Sequence, residues 1–147
     1  MLAGIKHLNR LDQVIGRAEW EGAGTTEGLL LGQDGRVVCG TMSNVFLQQG
    51  DSLLTPAVEG AGIAGVVREL ALKIGRAGDT DRVRVGQVSP DQVQAADAVY
   101  LSNSLIGVAR VARYGSRRYD LGLGEHPFIR ETRRLCHQSR PWGSSGE

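Results

Sequence analysis

Near the start of the chain, apolar residues recur at helical spacing: Leu11, Val14, Ile15 and Ala18 stand at i, i+3, i+4 and i+7. Asn9 offers a polar cap ahead of them and Asp12 an acidic first turn, so the spacing predicts an amphipathic helix. After a Gly-Thr loop at 22–26 the period changes. Gly28-Leu29-Leu30-Leu31 reads as a short buried strand, Asp34-Gly35 as a tight turn, and Arg36-Val37-Val38-Cys39 as the returning strand. A second hairpin pairs Asn44-Val45-Phe46-Leu47 with Ser52-Leu53-Leu54, turns near Gly50-Asp51 and closes at Thr55-Pro56.

Further along, Gly60-Ala61-Gly62-Ile63-Ala64-Gly65 runs straight into Val66, Val67, Leu70, Ala71 and Ile74, the apolar positions of another helix. Val83 and Val85 alternate with charges, as in a half-exposed strand. Ser89-Pro90-Asp91 puts proline at the first helical position behind a serine cap, which predicts a short helix to about Ala96. Ala98-Val99-Tyr100-Leu101 reads as a strand broken by Ser102-Asn103-Ser104, with Gly107–Val111 as the next strand. His126-Pro127 opens a last helix through Ile129, Thr132 and Leu135, and the Ser/Gly-rich stretch 139–147 reads as a disordered tail. Helices and strands alternate irregularly with hairpins among them, so the pattern predicts an α/β or α+β domain and no regular βαβ series.

Composition narrows the picture. A length of 147 residues suits one domain with a real core. A formal charge of +1 and an aromatic content of 5% leave no footprint for nucleic acid or an anionic membrane. The two cysteines, Cys39 and Cys136, lie far apart and outside any metal-ligand spacing, which suits a reducing, cytoplasmic setting. No apolar run is long enough to cross a bilayer, and no signal-peptide pattern opens the sequence. Lysine occurs at two positions, Lys6 and Lys73, so chemistry that needs a lysine amine has two candidates. Lys73, in a helix with Arg68 and Arg76, reads as solvated; Lys6 taken alone reads the same way. The turn at 60–65 before a helix can cradle an anion on free backbone N–H groups or serve packing alone.

Three stretches, read together, carry more. They are Leu2-Ala3-Gly4-Ile5-Lys6-His7-Leu8-Asn9-Arg10-Leu11, the segment from Gly35 through Cys39-Gly40-Thr41-Met42-Ser43-Asn44-Val45-Phe46, and Ala61-Gly62-Ile63-Ala64-Gly65-Val66-Val67-Arg68. In this order and spacing they resemble the pyridoxal-phosphate enzymes of fold type IV, the class IV aminotransferase family. That group includes aminodeoxychorismate lyase and the branched-chain and D-amino acid aminotransferases. Lys-His-Leu-Asn-Arg-Leu at 6–11 is most similar to the lyase branch. The resemblance runs from Leu2 to about Cys136.

It implies an α/β fold, the C-terminal domain of fold type IV: a mixed sheet or pseudo-barrel with flanking helices over residues 1–138. It implies pyridoxal 5'-phosphate as cofactor, with Lys6 forming the Schiff base. Lysine suits that task because its amine can condense with an aldehyde, yield to a substrate amine and then act as a base. The backbone at Val66 and Val67 and the hydroxyl of Ser104 are implied to hold the phosphate; read on its own, Ser102-Asn103-Ser104 is an ordinary turn. Cys39 falls where the family carries a glutamate that pairs with the protonated pyridine nitrogen. A thiol is a weak, largely neutral acceptor, and Cys39 itself reads as a small buried hydrophobe.

The implied reaction converts 4-amino-4-deoxychorismate to 4-aminobenzoate and pyruvate on the route to folate, in a homodimer. Family members carry an N-terminal domain ahead of the lysine-bearing segment. With lysine at position 6, the expectation is a chain without that domain and possessing part of the active site. Two other readings stay open: a fold type IV aminotransferase, and a non-catalytic remnant or interaction domain.

Overall fold

The computed structural model describes residues 11–19, 24–58, 61–77 and 82–138. Helix α1 (Leu11–Ala18) leads to a hairpin of β1 (Leu29–Leu31) and β2 (Val37–Gly40). The second hairpin, β3 (Asn44–Gln49) and β4 (Ser52–Pro56), enters a five-stranded sheet. Helix α2 (Val66–Ala77) then crosses to β5 (Val83–Gly86), and α3 (Pro90–Ala95) to β6 (Ala98–Asn103) and β7 (Gly107–Arg110). A small hairpin, β8 (Arg113–Tyr114) and β9 (Arg117–Arg118), precedes the last helix α4 (Pro127–Gln138). The sheet order is β5-β4-β3-β6-β7, with β4 and β5 parallel and the other neighbours antiparallel, so the sheet is mixed.

Successive side chains on a strand point to opposite faces, and β3 is apolar on both. Val45 and Leu47 join Val99 on one face, under Val37, Val88, Tyr119, Val93 of α3 and Ala96 just after that helix. Phe46 joins Ala98 and Tyr100 on the other, under Val67 and Ala71 of α2 and Ile129 of α4. Central strands buried on both sides explain why the sequence there is a run of apolar residues without clean alternation.

The elements form where the pattern puts them, with instructive differences. Ser89 and Gln92 form a reciprocal capping box at α3, with Pro90 in the first turn. His126 caps α4: its Nδ1 accepts from the Phe128 N–H at 3.4 Å, which leaves Nε2–H to donate to the Asp51 carbonyl at 2.9 Å. β6 does not break at Ser102. It continues to Asn103 because Ser102 sits in register between Asn44 of β3 and Val108 of β7, and ladder pairing outweighs the turn preference of Ser and Asn. The β8–β9 hairpin, turning at Gly115 with φ of 56°, has no alternating pattern to announce it. Asn9 and the stretch 139–147 lie outside the described residues.

Buried hydroxyls are paired: Tyr100 donates to Gln48 Oε1 at 2.7 Å, and Tyr119 to the Val93 carbonyl at 2.5 Å. Burial lifts both phenols above the usual tyrosine range. A group whose folded pKa is raised contributes stability that is present below its unfolded value and lost above it. Urea unfolding should therefore show stability falling from about pH 10 upward, and the fall should be shallower in Tyr100→Phe and Tyr119→Phe. At pH 7 each substitution should itself cost about 1 kcal/mol for the lost hydrogen bond.

Candidate functional site

At the end of the sheet where β3 begins, Asn44 sits in register with Ser102 of β6. The Asn44 side chain reaches across to the loop before α2. Its Nδ2 donates to the Ile63 carbonyl at 2.7 Å, and its Oδ1 accepts from the Gly65 N–H at 3.1 Å. The Gly65 carbonyl in turn accepts from the Glu69 N–H at 3.0 Å and closes the first turn of α2. A Cβ at Gly65 would collide with Asn44 Oδ1, and Gly62 takes a φ of +91° with Val38 packed where its Cβ would be. Glycine is needed at both positions for this loop to lie against the strand.

A second clamp sets the opposite rim. Glu27 accepts from the backbone N–H groups of Gly28 and Thr41 at 3.0 Å and of Met42 at 3.2 Å. It also accepts from the Thr41 hydroxyl and, at 2.8 Å, the Ser43 hydroxyl. One carboxylate thus fixes the turn between β2 and β3.

Between the clamps lies a cavity of about 170 Å³ whose wall includes Gln13, Cys39, Gly65, Val66, Ser102 and Ser104. No side chain in its described wall carries a formal charge at neutral pH. The electrostatic character comes from α2, whose first N–H groups lack intrahelical partners and present the positive end of the helix dipole. Ser102 is 1% exposed, and its hydroxyl has no hydrogen-bond partner; nor has Gln13 Oε1. A buried hydroxyl left unpaired is unfavourable, and here it stands beside a helix start that favours anions. The residues fit a group ending in phosphate. Met42 and Asn103 also line a larger recess of about 760 Å³, with Glu27, Arg110, Arg113 and Tyr114 in its wall.

Of the residues singled out from the sequence, three come together in this wall: Cys39, Val66 and Ser104. Cys39 is buried, whereas Val66 is 79% exposed and Ser104 is exposed. The Val67 side chain is buried in the core against the α2-facing side of the sheet, which leaves its backbone at the helix start. Lys6 lies outside the described residues, as does Gly60, while Lys73 is exposed as expected. Sequence reasoning passed over Asn44, Ser102, Gln13 and Glu27. The first two lay inside quoted motifs but were assigned to a strand and a turn, and Glu27 stood in a stretch without pattern.

Ser102→Ala separates binding from folding. Removing an unpaired buried hydroxyl should leave stability unchanged or raise it by about 1 kcal/mol in urea unfolding. Loss of a donor to a charged phosphate should weaken phosphate-ester binding roughly tenfold, measured by calorimetry. Asn44→Ala should do both kinds of harm, costing about 1–3 kcal/mol by leaving the Gly65 N–H and Ile63 carbonyl unpaired and weakening the same binding.

The chain is similar to known proteins in sequence and in fold. The amino-transferase class IV profile matches residues 1–114. An aminodeoxychorismate lyase of Vibrio harveyi is 32% identical over 92% of this chain and 48% of its own length. A probable branched-chain-amino-acid aminotransferase of Thermotoga maritima is 30% identical over 86% of this chain and 42% of its own. Among solved structures, the 4-amino-4-deoxychorismate lyase of Pseudomonas aeruginosa superposes with a TM-score of 0.82 at 35% identity, covering 96% of this chain and 50% of that one. The chain spans about half the length of the curated relatives it matches.

Proposed function

The chain belongs to the amino-transferase class IV family, and from that premise we propose that it carries the cofactor-binding part of a pyridoxal 5'-phosphate-dependent lyase. Its substrate is 4-amino-4-deoxychorismate, and its products are 4-aminobenzoate and pyruvate, on the route to folate. The observation that carries this reading is the unpaired Ser102 hydroxyl beside the open start of α2, in a fold shared with a lyase at 35% identity. Of the curated relatives, the lyase from Vibrio harveyi matches a larger share of the chain than the aminotransferase from Thermotoga maritima, 92% against 86%.

In this reading the N–H groups at Val66 and Val67, with the hydroxyls of Ser102 and Ser104, hold the phosphate. Asn44 keeps the loop before α2 in place, and Glu27 keeps the turn at Thr41–Ser43. Lys6 is the amine that anchors the cofactor and takes the proton from the substrate's amine-bearing carbon. Bound pyridoxal phosphate supplies an electron-withdrawing ring conjugated to the reacting carbon. The recess with Arg113 in its wall offers positive charge to an acidic substrate. The reading includes a homodimer in the cytoplasm; no described helix is long and apolar enough to cross a membrane.

Pyridoxal phosphate added to the purified chain should give a visible absorption band. Borohydride should then fix the label on the Lys6 peptide, and Lys6→Ala should remove both. Label shared among Lys6, Lys73 and the terminus would sink the assignment. Turnover of aminodeoxychorismate without amino-acid/keto-acid exchange separates the lyase from the aminotransferase reading that the Thermotoga relative supports.

A further inference from the structure

The cavity wall is uncharged in its described part, and among the described residues the carboxylate that stands against it, Glu27, is already committed. Glu27 lies behind Gly40, 3.0 Å from where a Cβ there would be. Its two oxygens accept hydrogen bonds from Gly28, Thr41, Met42 and Ser43, which saturates them on the β2–β3 turn. The polar side chains of the described wall are amides, hydroxyls and a thiol, among them the Gln13 amide, the Ser102 and Ser104 hydroxyls and Cys39, and none is a carboxylate. A thiol is a weak acceptor and cannot hold a proton on a weakly basic heterocycle as a carboxylate does.

We infer that this cavity holds the pyridine ring of pyridoxal phosphate with its nitrogen unprotonated, and that Cys39 is the residue that sets this state. The inference rests on the cofactor reading above. An unprotonated ring withdraws electrons less strongly, so negative charge developing at the substrate carbon receives less help from the ring. A reaction that must store that charge in the ring, as amino transfer does, is disfavoured. An elimination that discharges it at once into an aromatic product is not. Cys39 thereby acts as a specificity-determining residue for lyase over transferase chemistry.

The test is the chemical shift of pyridoxal phosphate labelled with ¹⁵N in the ring, bound to the full chain at pH 7 and followed by NMR. The expected result is a resonance in the unprotonated pyridine range for the wild-type chain and for Cys39→Ser, moving to the protonated range in Cys39→Glu. A protonated nitrogen in the wild-type chain or in Cys39→Ser overturns this inference while leaving the cofactor reading intact. The same holds for a Cys39→Glu chain that binds the label and stays unprotonated. Failure of the wild-type chain to bind the labelled cofactor overturns both. If Cys39→Glu does not fold, the wild-type and Cys39→Ser shifts decide the question alone.

Discussion

The hydrogen bonds of the Asn44 side chain join the fold to the site. Its backbone belongs to the strand buried on both faces, in register with Ser102, so its position is set by the core. Its amide then fixes the loop at Ile63 and Gly65 and, through Gly65, the first turn of α2. Strand end, loop, helix start and buried hydroxyl are therefore one unit. An amide suits the task because it donates and accepts at once; Asp, isosteric but an acceptor alone when ionised, would leave the Ile63 carbonyl unserved and bring a charge into a wall whose described residues carry none.

That neutrality shapes how the cavity can attract a ligand. A charged wall would draw an anion strongly but would also need counter-charges to stay stable when empty. Oriented N–H groups and hydroxyls carry no such requirement and act over a short range, so they favour a group placed directly at the helix start. Glu27 shows the complement: a carboxylate near the site is tolerated because several donors surround it, and its charge is spent on holding the turn.

Much of the fold was legible because each helix and each main-sheet strand has a local signature. The Asp34-Gly35 turn, the Ser89-Pro90 cap and the two-faced apolar runs at 44–47 and 98–101 each encode geometry within a few residues. The site was legible at Cys39, Val66 and Ser104 through the family resemblance, since no local pattern distinguishes a cavity wall from a core wall. Ser102 was missed because its role depends on register with Asn44, a pairing 58 residues apart in sequence. Glu27 was missed because its partners 14 to 16 residues away are backbone N–H groups and two ordinary hydroxyls, which no local pattern marks out.

Helix α1 shows the limit of periodicity most clearly. The pattern of Leu11, Val14, Ile15 and Ala18 identifies an apolar face, and the natural inference is that this face turns inward. Yet Leu11 is 63% exposed, Val14 63% and Ile15 53%. Among the residues that turn toward the domain are Gln13, which lines the cavity, and Gly16, whose Cβ position lies 3.0 Å from Leu30. They are three apart, as one helix face requires, and one is polar while the other has no side chain. A helix that borders a binding cavity needs a hydrogen-bonding group and close backbone approach on its inner side, and neither raises a hydrophobic count. Periodicity thus located the helix and its two faces, while the orientation followed from what the inner face has to do.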